Sequence, residues 1–261
     1  MKFYDSHTHL DFKDFEADLD AVLNRAQHVG VRHINLSGTV ASGWPTIQKI
    51  VQQYQICHAA YGLHPMFMSE HHQQRDLDLL QQWAKFKETI AIGEIGLDYF
   101  IPDPDKKAQL NLFIQQLEIA HAHHLPVIIH ARKALDLVIQ QLREFPGLQG
   151  SIHSFSGSMQ QAQQCVDLGF YLGFGGPITY SRATRLRKIV STIPLQYLLL
   201  ETDSPDQPDV QHHGERNEPA YLPIIAHEVA KLKQLDIGEV AQICYRNTID
   251  LFKISNSQEH T

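Results

Sequence analysis

The chain has 261 residues, 43% of them apolar and 20% charged, which excludes a disordered chain and provides for one sizeable core. Its formal charge of −7, from 22 basic and 29 acidic side chains, excludes broad electrostatic coating of a nucleic-acid duplex, so any phosphate must be met locally. The cysteines Cys57, Cys165 and Cys244 are far apart and odd in number; they fit buried apolar groups in a reduced setting rather than a disulfide framework.

Short β-rich runs alternate with segments of helical periodicity about eight times. Strands are expected at Phe3–His7, His33–Leu36, His58–Gly62, Ile90–Glu94, Val127–His130, Ser151–His153, Tyr171–Gly173 and Tyr197–Glu201. Runs such as Pro126–Ile129 and Tyr197–Leu200 are continuously apolar, as in parallel strands buried on both faces. Helices are expected over Phe15–His28 and Ala108–His124, with Gly30 and Gly169 as helix stops and Pro126 closing the second. After the eighth strand, the loop Ser204–Pro219 leads into helices Ala220–Gln234 and Ile237–Phe252.

Eight strand–helix pairs predict an α/β fold of the (β/α)₈ TIM-barrel type, a single domain over residues 1–254 with a polar tail at 255–261. An open doubly wound sheet is the alternative, but it gives no reason for polar residues at so many strand ends. The strand-like start and the lack of a membrane-length apolar run predict a cytoplasmic protein with no membrane contact. No obligate protein partner is evident, and a monomer is expected.

The last inward residues of the expected strands are His7 and His9, His64, Glu94, His130, His153 and Asp203. In a barrel they converge on one mouth. His7-Thr8-His9 aims both imidazoles at the same space because strand side chains alternate with period two. Glu94, at the end of an apolar strand, requires a cation to offset its desolvation, and its own loop offers no arginine or lysine. Imidazoles and carboxylates without thiolates suit zinc, manganese or magnesium. The set exceeds one tetrahedral site and suffices for two divalent ions, with Glu94 as the natural bridge. Asp5 and Glu201, one layer below His7 and Asp203, are expected to accept hydrogen bonds that orient ligand histidines. His64 has three open roles: ligand, substrate donor or loop cap.

Taken together, these stretches resemble the TatD family of metal-dependent deoxyribonucleases, within the amidohydrolase-like barrels. The matching segments begin at Tyr4 (Tyr-Asp-Ser-His-Thr-His-Leu), Gly62 (Gly-Leu-His-Pro), Gly93 (Gly-Glu-Ile-Gly-Leu-Asp-Tyr), Pro126 (Pro-Val-Ile-Ile-His-Ala-Arg), His153 (His-Ser-Phe-Ser-Gly), Glu201 (Glu-Thr-Asp-Ser-Pro) and Arg216 (Arg-Asn-Glu-Pro). Their order covers nearly the whole chain. The resemblance implies two metal ions, one among His7, His9, Glu94 and Asp203 and the other among Glu94, His130 and His153, and hydrolysis of phosphodiester bonds. Many relatives carry cysteine where Ser154 stands, and arginine-containing loops where this chain has Phe100–Asp105. The lysine that bridges metals in dihydroorotase-like barrels is missing from Ile90–Tyr99.

The function expected is metal-dependent 3′–5′ exonuclease cleavage of single-stranded DNA or RNA ends, with nucleic-acid ends or a small phosphodiester as substrate. The alternative is an esterase or amidase on the same site, such as an aminoacyl-tRNA deacylase. Asp203 is the expected general base, with Glu94 holding the ions. His64, Arg132, Lys133 and Asn217 are expected to meet substrate, although Arg132 has an ion pair with Glu201 or Asp5 as its competing role. The loop carrying His212, His213, Arg216 and Asn217 is either a lid over the mouth or ordinary surface. Tyr99, Phe100 and Phe155 are candidates for stacking on bases.

Overall fold

In the computed structural model, which describes residues 1–254, eight parallel strands run in chain order. They are β1 (Phe3–Thr8), β2 (Val31–Ser37), β3 (Cys57–Tyr61), β4 (Thr89–Asp98), β5 (Val127–Arg132), β6 (Gly150–Ile152), β7 (Tyr171–Phe174) and β8 (Leu198–Leu200). The ring closes where Thr8 bridges Ser204 in parallel register, with His9 N donating to Ser204 O at 2.8 Å and Asp203 N to His7 O at 3.0 Å. Closure removes the sheet edges and leaves the TIM barrel that the alternating pattern predicts. The expected polar tail, 255–261, lies outside the described residues.

Around the barrel lie α1 (Leu19–His28), α2 (Trp44–Gln53), α3 (Gln73–Trp83), α4 (Lys106–Ala122), α5 (Leu135–Leu142), α6 (Met159–Asp167), α7 (Thr184–Thr192), α8 (Leu222–Lys233) and α9 (Ile237–Phe252). Each buries an apolar stripe against the strands, as α1 does with Val22, Leu23 and Ala26. The expected helix at Phe15–His28 is shorter than its periodicity suggests, because Lys13–Phe15 is a separate 3₁₀ turn. Helix α9 has the expected bounds and is capped by Asp236, whose carboxylate accepts from Gly238 N at 2.7 Å. The thiols of Cys57, Cys165 and Cys244 are free and buried. None of the described helices is long and apolar enough to cross a membrane.

The barrel interior is layered. Ala60, Ala91, Ile128 and Leu199 form an apolar cluster that Leu251 and Phe252 of α9 join. One period further along β5 and β8 stand His130 and Glu201, so the polar site rests on that apolar floor. Strand β4 departs from simple alternation. It runs four residues past the expected end at Glu94, and its register against β5 shifts between Ile92 and Ile95. That irregularity turns Glu94 inward, where strict alternation from Ala91 would have turned it out. Two glycines let polar groups approach closely. A Cβ at Gly96 (φ +146°) would lie 1.9 Å from His130 O, and one at Gly173 would lie 2.1 Å from Glu201 Oε2.

Candidate metal centre

Glu94 is the hub, 1% exposed. Its Oε2 lies 3.2 Å from His7 Nε2 and 3.3 Å from His9 Nε2. Its Oε1 lies 2.7 Å from His153 Nε2, 2.9 Å from His130 Nδ1 and 3.0 Å from His64 Nε2. Asp203 Oδ1 adds to the first set, 3.4 Å from His7 Nε2 and 3.6 Å from His9 Nε2. The sequence-derived candidates therefore meet at one point, with the two oxygens of one carboxylate facing two different groups of donors.

The hydrogen-bond partners decide which imidazole nitrogens are lone pairs. His9 Nδ1 lies 2.9 Å from the carbonyl of Ser37, which can only accept, so Nδ1 carries a proton and Nε2, facing Glu94, is the nitrogen left for a cation or a second proton. His130 Nε2 lies 3.0 Å from Asp98 Oδ2, leaving Nδ1 bare toward the site. His7 Nδ1 meets Ser37 Oγ at 3.1 Å, and His153 Nδ1 faces Glu201 Oε1 at 3.9 Å with no hydrogen bond of its own. His64 is the reverse case. Its Nδ1 accepts from Met66 N at 3.1 Å, so Nε2 bears the hydrogen and donates to Glu94 Oε1.

This arrangement fits cations. Three bare donors, His7 Nε2, His9 Nε2 and Glu94 Oε2, stand 3.2, 3.2 and 3.3 Å apart. Ligands of a divalent ion bonded at about 2.0–2.2 Å are separated by roughly 3.0–3.5 Å in octahedral or tetrahedral geometry. His130 Nδ1 and His153 Nε2, 3.3 Å apart, form a comparable triangle with Glu94 Oε1. Two lone pairs at such separations repel unless something positive lies between them.

The electrostatics agree. Burial would raise Glu94, but the surrounding imidazoles, His153 first, hold it well below the usual carboxylate range. Burial would lower His9 and His153, but Glu94 outweighs it and lifts them to about 9 and about 10. His7, only 3.2 Å from His9, moves the other way, well below its ordinary value through burial and the charge of His153. The opposite shifts leave the positive charge of this pair on His9 rather than on His7. Without metal, the cluster gathers protons where it has room for cations.

A family model described as TatD related DNase matches residues 4–253. The chain belongs to the TatD family. Among its TatD relatives, YjjV of Escherichia coli K12, named an uncharacterized metal-dependent hydrolase, is 38% identical over 257 residues and covers 97% of this chain and 98% of its own. YabD of Bacillus subtilis 168, named in the same way, is 34% identical over 254 residues, covering 97% and 99%. The crystal structure of YjjV superposes with a TM-score of 0.93 at 37% identity, over 97% and 98% of the two chains. The protein is a metal-dependent hydrolase of the TatD type.

Several expectations need correction against this geometry. Asn217 is not a substrate contact: it is buried, its amide donates to Thr202 O at 2.7 Å and Asp206 O at 2.8 Å, and its oxygen accepts from Glu218 N at 2.9 Å. Both ends of the side chain are spent holding the loop after β8. That loop is not a lid either. Arg216 forks onto Asp18 at 2.8 Å on both arms, and His212 stacks on Tyr221 at 3.5 Å and meets Asp209 at 2.8 Å. Phe155 is 1% exposed and packs toward Phe174, so it cannot stack on a base. Asp5 orients no imidazole. It accepts from Thr202 Oγ1 at 2.6 Å and Thr202 N at 2.9 Å, and only the backbone N of His7, at 3.4 Å, links it to a candidate ligand. Glu201 accepts no hydrogen bond from a ligand histidine either: its Oε1 faces His153 Nδ1 at 3.9 Å and accepts instead from Ser154 N at 2.5 Å.

Ser37, Asp98 and Gln207 escaped sequence reasoning. Ser37 ends β2 with no charge or spacing to flag it. Gln207 donates to Asp203 Oδ2 and accepts from Ser154 Oγ at 2.9 Å. Asp98 did carry a signal, an acid four residues after Glu94 in an apolar run, and a longer strand β4 would have placed it beside His130. Arg132 takes neither of its alternative acidic partners; it lies at the mouth with Phe100 beneath it.

Proposed function

We propose that the protein is a nuclease that shortens single-stranded DNA or RNA from the 3′ end. The observation that carries this is the division of Glu94 between two donor sets at the floor of a cavity of about 630 Å³, with Arg132 on its wall. His7, His9, Glu94 and Asp203 would hold one divalent ion, and Glu94, His130 and His153 the other. Such ions would supply Lewis acidity at the phosphoryl oxygens and at an attacking water.

The chain's own groups provide the rest. Asp203 faces the cavity, anchored through Oδ2 by Gln207, with Oδ1 directed to the His7 side. Burial raises its pKa and Glu94 adds to the rise against the opposing imidazoles, which makes its carboxylate a stronger acceptor for the proton of water at Oδ1. His64, pushed down to about 4 by burial first, is neutral in that range and offers an N–H rather than a charge. Arg132 presents a guanidinium to a non-bridging phosphate oxygen. Attack at phosphorus breaks the P–O3′ bond and releases a nucleoside 5′-monophosphate. The donors lie beneath the rim, His7 fully buried and Glu94 nearly so, which favours a strand end over the backbone of an intact duplex.

The test is a product-length assay on 5′-labelled single- and double-stranded oligonucleotides with zinc-, manganese- or magnesium-loaded protein. A ladder shortening one nucleotide at a time from the 3′ end of single strands is expected. EDTA should abolish it, and Asp203→Asn should slow it by about 10²–10⁴-fold. Intact oligonucleotides alongside hydrolysis of an aminoacyl ester would move the reaction to the ester or amide class.

A further inference from the structure

A second cavity of about 580 Å³ opens beside the metal centre, and the two share Ala131, Arg132 and Ser156 in their walls. Its charged lining is one-sided: Arg132 ends β5, Lys133 follows it, Arg185 lies in the first turn of α7, and among the described residues the only lining carboxylate is Asp136. Asp136 is itself engaged, accepting from Gln161 Nε2 at 2.7 Å. Among the described residues none of the three cations forms an ion pair with a carboxylate, unlike Arg25, Arg75, Arg187 and Arg216, each of which does.

Other contacts hold these cations in place. The Arg132 guanidinium lies 3.8 Å and the Lys133 ammonium 4.4 Å from the centre of the Phe100 ring. Arg185 Nη2 donates to Ser156 O at 2.9 Å. An aromatic face and a carbonyl orient a cation without cancelling its charge, whereas a carboxylate would cancel it. In a protein of formal charge −7, three oriented cations without a carboxylate in contact, gathered around one concavity, form a local anion trap.

Resting on the nuclease proposal, we propose that this cavity is a subsite for a second phosphate of the substrate, one nucleotide away from the bond being cleaved. Lys133 and Arg185 bind that phosphate, Phe100 positions Lys133, and Arg132 lies between the two phosphates. The subsite makes the enzyme select substrates with at least two phosphates over simple phosphodiesters.

Two measurements on the metal-loaded protein test this. The first compares steady-state hydrolysis of thymidylyl-thymidine, with one phosphate, and its 5′-phosphorylated form, with two. The wild type should favour the second through a lower KM, by about tenfold for one charge-assisted contact. Arg185→Ala should erase that preference while the one-phosphate substrate keeps its kcat and KM, and Arg185→Lys should restore part of it. Equal kinetics on the two substrates in the wild type, or an equal loss on both in Arg185→Ala, would overturn the subsite.

The second measurement does not need turnover. A fluorescent 5′-phosphorylated oligothymidylate is titrated onto metal-loaded protein over a range of salt concentrations. Joint replacement Lys133→Ala/Arg185→Ala should weaken binding and flatten the log–log salt slope by about 0.7 per lost contact. Unchanged affinity and slope would also overturn the subsite. Failure of the nuclease proposal is read separately, as absence of hydrolysis of both dinucleotides by the wild type.

Discussion

At the scale of the residue, the site is governed by which nitrogen of each histidine is bare. The two nitrogens of an imidazole are chemically alike, and only the partner on the far side of the ring distinguishes them. Asp98 does this for His130 and the Ser37 carbonyl does it for His9, whereas Met66 N does the opposite for His64. His64 is thereby a donor toward Glu94, although its sequence context is as ligand-like as that of His130. Replacing Asp98 with alanine removes the acceptor that fixes the His130 ring. The expected result is a 10–100-fold loss of affinity for one of the two ions proposed above, as is typical for partners of ligand histidines, with the other ion retained. Competition against a chromophoric chelator, together with the metal content of the protein, measures it; two ions bound at unchanged affinity would contradict the role given to Asp98.

At the scale of the element, strand β4 does more than its sequence advertises. It continues to Asp98, pairs Gly96 with His130 across the ladder and shifts register between Ile92 and Ile95. Close pairing requires a residue without a side chain at Gly96, where a Cβ would collide with the His130 carbonyl and where φ is +146°. Gly96→Ala should therefore cost about 3 kcal/mol or more, from overpacking and an unfavourable backbone together. Thermal and denaturant unfolding would show the loss, and a melting temperature within a degree of wild type would refute it. The loop after β8 makes the converse point. Its histidines, arginine and asparagine look functional in the sequence, yet they are consumed in fastening it, through Arg216 to Asp18 and through Asn217 to Thr202 and Asp206.

At the scale of the whole molecule, the two ends of the barrel bear histidines for different reasons. The metal-centre histidines crown the carboxyl ends of the strands. Near the amino ends, His33 Nδ1 meets His58 Nε2 at 2.8 Å, and the ring of Tyr4 lies against both. Burial first, and then the charge of His33, pushes His58 down from 6.5 to about 3. A histidine kept neutral in the fold but free to protonate when unfolded contributes stability that is complete above pH 6.5 and lost as pH falls toward 3. The melting temperature of the chelated protein should drop over that window, and His58→Gln should make the drop shallower. An equally steep profile in the variant would show that His58 is not one of the groups responsible. Chelation removes acid-driven metal loss from the comparison, and the metal-site groups, identical in the two proteins, titrate alike in both.

The sequence by itself determined the barrel and the inward donor set. Strand alternation, apolar strand cores and helical stripes follow from covalent geometry and local burial, so His7, His9, His130 and His153 were legible in place. Tertiary structure alone decided what depends on partners distant in the chain. It assigned Ser37 to His7 and His9, paired Asp98 with His130, supplied the strand irregularity that keeps Glu94 inward, and drew Arg216 and Asn217 away from the mouth. A side chain's direction along a strand is set by its neighbours in sequence. Its protonation state and its freedom to meet substrate are set by whatever the fold places on its other side.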